Sequence, residues 1–287
     1  MGAVVTWPEP GIHDRVEEGE YHRHPALGSG SIVDLLDAPA VYRYHADVPE
    51  SHKDTEATEL GTAVHAYVLE GEEAFLARYH ITAPGFSRAA KVKDKEAVDA
   101  LLAAEAAGKK QLKSDAYDQV RRIYDAIMLC ADSRAILEAA KGCERSALFQ
   151  REGVPCKARF DVDAVASMGL VADLKTAADP RPSRFLSGDM GTKRAIQASH
   201  YSTGYVLCGE AEAPDFAWIV VPTEPPYTGR VWVAQASDGV LRYGDGLIRR
   251  ALGLWKDATA RGTWDGYDTE IRMMEPPSWW LKEEEHG

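Results

Sequence analysis

The residues of this chain that could do chemistry together lie between Lys157 and Lys175. Lys157-Ala158-Arg159-Phe160-Asp161-Val162-Asp163 alternates polar and apolar residues, as does Leu170-Val171-Ala172-Asp173-Leu174-Lys175 after a gap holding Ser167, Met168 and Gly169. Both stretches read as strands of a hairpin. Successive side chains of a strand point to opposite faces, which places Lys157, Arg159, Asp161 and Asp163 on one face of the first strand and Cys156, Ala158, Phe160 and Val162 on the other. In the second, Asp173 and Lys175 share a face opposite Ala172 and Leu174. Unpaired charge buried on such a face is costly, and a hard divalent cation removes that cost. Mg²⁺ or Mn²⁺ takes one or two carboxylates plus water and phosphate oxygens, and a neighbouring lysine stabilises an attacking hydroxide. The alternative is a hairpin of solvated cross-strand ion pairs.

Other segments must bring further groups to this hairpin. A helix is expected from about Thr58 to Tyr79, with Leu60, Val64 and Val68 on one stripe and Gly61, His65 and Leu69 on the next. His65 is thus either a metal ligand or a core-edge histidine bonded to a carbonyl, and Gly61 one turn earlier leaves room beside its ring. Glu144 precedes an expected strand, Ser146 to Gln150, as a third acid or as a surface partner of Arg145. A helix is expected from Phe185 to Leu207, with Gly188 and Gly191 as possible breaks, and on it Lys193, Gln197 and Tyr201 recur every four residues on one face. That face suits phosphate and sugar contacts. The most basic stretch, Phe86 to Arg122, contains Lys91, Lys93 and Lys95, read as a phosphate track, with a solvated helical face as the alternative.

Together these motifs resemble the PD-(D/E)XK nucleases. Asp161, eleven intervening residues, Asp173-Leu174-Lys175 and the helix bearing Gln197-Ala198-Ser199-His200-Tyr201 match the core and its Q-x-x-x-Y helix. Leu60-Gly61-Thr62-Ala63-Val64-His65 is similar to the histidine-bearing helix of the branch containing RecB-type nuclease domains and RecE-type phage exonucleases. The likeness to RecE-type exonucleases continues through Ala26-Leu27-Gly28-Ser29-Gly30-Ser31-Ile32, Pro39 and Glu144-Arg145-Ser146, and covers about residues 20 to 210. One departure is Phe160, where the family usually has proline. The resemblance implies an α/β fold, a mixed central β-sheet flanked by helices. It implies a metal held by Asp161, Asp173 and the Leu174 carbonyl, with His65 and Glu144 completing the site and Lys175 positioning and helping to deprotonate the attacking water. It also implies digestion of double-stranded DNA from its ends, giving single strand for recombination with an annealing protein partner. A site-specific or structure-specific endonuclease of the same fold and a non-catalytic DNA-binding protein are the rivals.

Composition sets limits on these readings. The 287 residues, 45% of them apolar, suit one sizeable domain, expected over 28–262 between an extended arm, 1–27, and an aromatic tail, 263–287. Trp264, Trp279 and Trp280 of that tail could stack on bases, seal a subunit contact or anchor the tail to its own domain. A net charge of −12 and a pI near 5.3 argue against a surface coated in positive potential, so DNA contact must be local. The same charge favours a homo-oligomeric ring that gathers several basic surfaces around the duplex. Cys130, Cys143, Cys156 and Cys208 lie far apart without C-x-x-C, which argues against a zinc site, a disulfide framework or a clustered iron-sulfur site and fits a reduced bacterial cytoplasm. No apolar run reaches membrane-spanning length, and no signal-peptide pattern opens the chain.

Overall fold

A computed structural model describes residues 9–14, 16–48, 56–86, 95–209, 212–271 and 273–275 of the protein. The first half forms β1 (Gly11–His13), α1 (Glu18–Arg23), α2 (Ser29–Asp37), α3 (Pro39–Asp47), α4 (Glu56–Glu70), α5 (Glu72–Arg78), β2 (Tyr79–Thr82), α6 (Lys95–Ala106), β3 (Lys110–Lys113), α7 (Ser114–Leu129) and α8 (Ala131–Glu138). The second forms β4 (Gly142–Arg151), β5 (Val154–Ala164), α9 (Val165–Met168), β6 (Leu170–Ala177), α10 (Pro182–Phe185), α11 (Gly188–Leu207), β7 (Asp215–Pro222), β8 (Trp232–Gln235) and α12 (Asp238–Arg261). No helix among the described residues is long and apolar enough to cross a membrane.

Six strands make one mixed sheet in the order β1-β4-β5-β6-β7-β8, while β2 and β3 pair apart in parallel. β4 and β5 are joined by the two-residue turn Glu152-Gly153, with φ of 51° and 80°, the left-handed pair that a tight hairpin requires. β6 and β7 run parallel, which demands a long crossover, and the segment between them carries α11. One sheet face packs on α2, α11 and α12 through Phe149, Ala158, Phe160, Phe216 and Trp218. The other packs on α4, α5, α7 and α8 through Val162, Ala172, Leu174, Ile219 and Val221. α12 approaches α11 closely at Gly244, where a Cβ would lie 2.1 Å from the Ala195 carbonyl oxygen.

Three expectations change. The strict alternation along β5 breaks between Phe160 and Val162: Phe160 sits 5.7 and 5.5 Å from the rings of Tyr201 and Tyr205 on α11, whereas Val162 joins the α4 side. The break coincides with Glu144 on the neighbouring strand, whose φ of 56° is left-handed and costs an L-residue about 1–2 kcal/mol. Asp163 consequently leaves the Asp161 face, is fully buried, and accepts from Arg145 and from the Tyr205 hydroxyl. Secondly, the described part of 1–27 is not a free arm. β1 pairs with β4 from Gly11↔Leu148 to His13↔Ser146, Arg145 Nε donates to Asp14 at 2.6 Å, and Arg159 Nη2 donates to the Val16 carbonyl at 2.7 Å. Thirdly, the expected helix 58–79 is two, broken at Gly71 with φ of 87°. In the tail, Trp264 packs 5.3 Å from the Tyr42 ring and Asp265 accepts from the Ala40 amide, while Trp279 and Trp280 lie outside the described residues.

Candidate active site

The β5–β6 ladder runs from Ala164↔Leu170 to Val162↔Ala172, so Asp161 and Asp173 stand one position beyond it, where the strands part. A side chain replaces the next rung: the Leu174 amide donates to Asp161 Oδ2 at 2.8 Å, which satisfies a buried backbone N–H. The resemblance assigned the Leu174 carbonyl to a metal; its amide is the atom that meets Asp161. His65 arrives from α4, its Nδ1 3.5 Å from Asp161 Oδ2. Gly61 makes room for the sheet rather than for the imidazole, since a Cβ there would lie 3.2 Å from Thr176 Oγ1 of β6. Glu144, which the β4–β5 ladder leaves unpaired between Cys143↔Val162 and Arg145↔Phe160, turns its carboxylate to the same place. One ligand atom each of His65, Glu144 and Asp161 lie within 4.8 Å of one another.

Asp173 is buried next to this group, and both its oxygens have partners. Lys175 Nζ lies 2.6 Å from Oδ2 as an ion pair, and Gln197 Nε2 donates to Oδ1 at 2.7 Å. Tyr201, one turn further along α11, is 8% exposed and packs edge-on to Phe160 and Phe216, so its phenol faces inward behind Gln197. Lys193, one turn earlier, is exposed. Lys95 is an exposed residue at the start of α6, while Lys91 and Lys93 lie outside the described residues.

Two acids here resist ionisation. Burial, with the charge of Asp173 next, pushes Asp161 up to about 6, against the pull of His65, Lys175 and the Leu174 amide. Burial and then Asp161 push Glu144 up to about 8, with Arg159 as the opposing cation. The folded protein therefore holds more protons than the unfolded chain from about pH 4, near the ordinary carboxylate values, to pH 8. Stability from this source is complete below that window and is lost as pH rises through it. An acidic pair of this kind, Asp161 buried and Glu144 half-buried, with a histidine beside it, fits a hard divalent cation, whose charge removes the repulsion. Metal-free protein is accordingly expected to melt at lower temperature at pH 8 than at pH 5, and Mg²⁺ to raise the melting temperature more at pH 8. Thermal unfolding in chelator and in Mg²⁺ at both values checks this; a Mg²⁺ effect independent of pH would contradict it.

Spacing did not reveal two members of the site wall. Tyr21 of α1 stacks on Arg159, its ring centre 4.3 Å from the guanidinium carbon, and its phenol feels Glu144 and Asp161. Arg159 in turn lies 3.8 Å from Glu144. No sequence periodicity links Tyr21 to strands more than a hundred residues away; the one legible hint was Arg159 on the charged face of β5.

A family model described as "PDDEXK-like domain of unknown function (DUF3799)" matches residues 29–215. Among solved structures, the chain is similar to the crystal structure of a "putative exonuclease" from Eubacterium rectale, with a TM-score of 0.59 at 11% identity over 94% of this chain and 98% of that one. At that identity the likeness is one of fold. No curated protein sequence matches the chain. The mixed six-stranded sheet flanked by helices is the PD-(D/E)XK nuclease fold.

Proposed function

This chain belongs to the PDDEXK-like domain family, and from that premise we propose that it is a Mg²⁺- or Mn²⁺-dependent exodeoxyribonuclease of the RecE type. On this reading it degrades linear duplex DNA from its ends and leaves single strand for recombination, with an annealing protein as partner in a bacterial cytoplasm. The observation that carries the reading is the set of buried acids at the parting of β5 and β6, with Lys175 already against Asp173. The exonuclease name of the fold neighbour supports the same direction.

Asp161, Glu144 and His65 would hold the ion, and Asp173 and the Leu174 carbonyl would complete its ligands. A bound divalent cation supplies positive charge to the phosphate oxygens and makes water a better nucleophile. The protein's own groups do the rest. Lys175, its ammonium fixed by Asp173, donates a hydrogen bond to the attacking water and offsets the negative charge that develops on its oxygen. Gln197 fixes the Asp173 rotamer, and buried Tyr201 supports Gln197 from behind. Lys193 on the exposed end of that face, and Lys91, Lys93 and Lys95, contact DNA phosphates.

The net charge of −12 repels duplex at long range, which supports a ring of subunits around the substrate. Incubation of the purified protein with linear and with covalently closed circular duplex in Mg²⁺, alongside light scattering, tests the exonuclease reading. Loss of the linear form with closed circles spared, by an oligomer, is the expected result. Rapid cutting of closed circles would replace the exonuclease by an endonuclease, and a strict monomer would remove the ring.

A further inference from the structure

Arg159 stands beside the acidic cluster without closing on it. Its Nη1 is 3.8 Å from Glu144 Oε2, although guanidinium and carboxylate prefer a fork with N–O distances of about 2.8 Å. Three contacts restrain it. Nη2 donates to the Val16 carbonyl at 2.7 Å, Nε donates to Ser146 Oγ at 3.1 Å, and the flat guanidinium lies 4.3 Å from the centre of the Tyr21 ring. Tyr21 is itself fixed from a second side. Lys157 Nζ lies 4.8 Å from the same ring centre and donates to the carbonyls of Tyr21, His22 and His24 at 2.6, 3.3 and 2.8 Å. Those carbonyls close the C-terminal end of α1, where a cation is favoured. Lys157 is buried, so α1 is held firmly to the sheet by a charge with no part in the acidic cluster.

A guanidinium free to advance would form a two-point pair with Glu144. That pair would occupy both carboxylate oxygens and cancel the charge that draws a cation. Stacking on an aromatic face offers the guanidinium a competing partner in a fixed place. We propose that Tyr21 is a positioning residue for the metal centre, whose ring keeps Arg159 from neutralising Glu144 and so leaves that carboxylate free for a divalent cation. The inference rests on the metal-dependent reading of the site. It also gives the N-terminal segment a role in the site, since α1 brings Tyr21, and Val16 just before it holds Arg159.

Mn²⁺ binding to the full chain without DNA, measured by titration calorimetry, tests this separately from hydrolysis. Tyr21→Phe keeps the ring and is expected to bind Mn²⁺ as the wild type does. Tyr21→Leu is expected to weaken binding by about tenfold to hundredfold, the usual range for groups that orient metal ligands. The double variant Tyr21→Leu/Arg159→Gln is expected to recover wild-type affinity, because the competing cation has gone. If Tyr21→Leu does not fold, Tyr21→Met fills a similar volume without a π face and is read in its place. Unchanged affinity in the Leu or Met variant overturns the inference alone, as does a loss that Arg159→Gln fails to rescue, which would mark Tyr21 as a purely structural residue. A folded wild type that binds no Mn²⁺ overturns the metal-centre reading and this inference with it.

Discussion

Asp161→Asn is expected to slow DNA hydrolysis by about a thousandfold or more, a loss of at least about 4 kcal/mol of transition-state stabilisation, while making the metal-free fold more stable. Both effects follow from one carboxylate. Asp161 is 8% exposed and, among the described residues, is the acid of the ligand cluster that contacts both His65 and the Leu174 amide, so its charge is central to ion binding. The same charge is a burden without an ion, since the group is pushed up to about 6 and is ionised at pH 8. Replacing the carboxylate by an amide removes a charge that burial and the neighbouring Asp173 disfavour, so the metal-free fold gains stability at pH 8. Asparagine keeps an oxygen to accept from the Leu174 amide, which leaves the local backbone satisfied. Hydrolysis assays and urea unfolding in chelator at pH 8 check the two halves together. A variant that is both active and less stable would show that Asp161 is a structural acid.

Lys175→Met is expected to lower kcat by about a hundredfold to ten-thousandfold, the range for a group that assists proton transfer and charge development, with KM for DNA changed far less. The ammonium is 2.6 Å from Asp173 Oδ2 and is positioned by that contact before any substrate arrives. Methionine preserves the unbranched stem and removes only the charge and its donors. Gln197 still holds the other oxygen of Asp173 in the variant, so the carboxylate keeps its orientation. Single-turnover rates separate the chemical step from DNA binding. A loss confined to KM would make Lys175 a binding residue.

Much of the framework was legible because its signals are local. The polar alternation over 157–163 and 170–175 marks β5 and β6, and the apolar run of 216–221 marks β7. Long periodic patterns mark α11 and α12. The site residues drawn from β5, β6 and α4 meet in space: His65, Glu144 and Asp161 converge, and Asp173, Lys175 and Gln197 contact one another. What sequence did not reveal depends on distant partners or on single backbone angles. Glu144 takes a left-handed φ with no glycine to announce it, and the alternation of β5 breaks beside it. Val120, Ile123, Ile127 and Ile136 make 117–140 read as one amphipathic helix, whereas the chain breaks into α7 and α8 at Cys130, with neither glycine nor proline to mark it. β2 and β3 are four-residue strands, too short to give a period and paired across α6. The described part of the N-terminal segment has no apolar rhythm because Arg145, Lys157 and Arg159, far along the chain, tie it down through polar contacts.

Metal-dependent hydrolysis at the parting of β5 and β6 is open to direct measurement. The direct measurement is release of acid-soluble nucleotide from linear duplex DNA by wild type and by Asp173→Ala, purified side by side and assayed in Mg²⁺ and in chelator. Asp173 is the chosen position because it fixes the Lys175 ammonium and, through Gln197, ties the acidic cluster to α11. Metal-dependent hydrolysis at this site predicts release by wild type in Mg²⁺, none in chelator, and none by the variant in either. Equal release by wild type and variant, or release by wild type that survives the chelator, would contradict it.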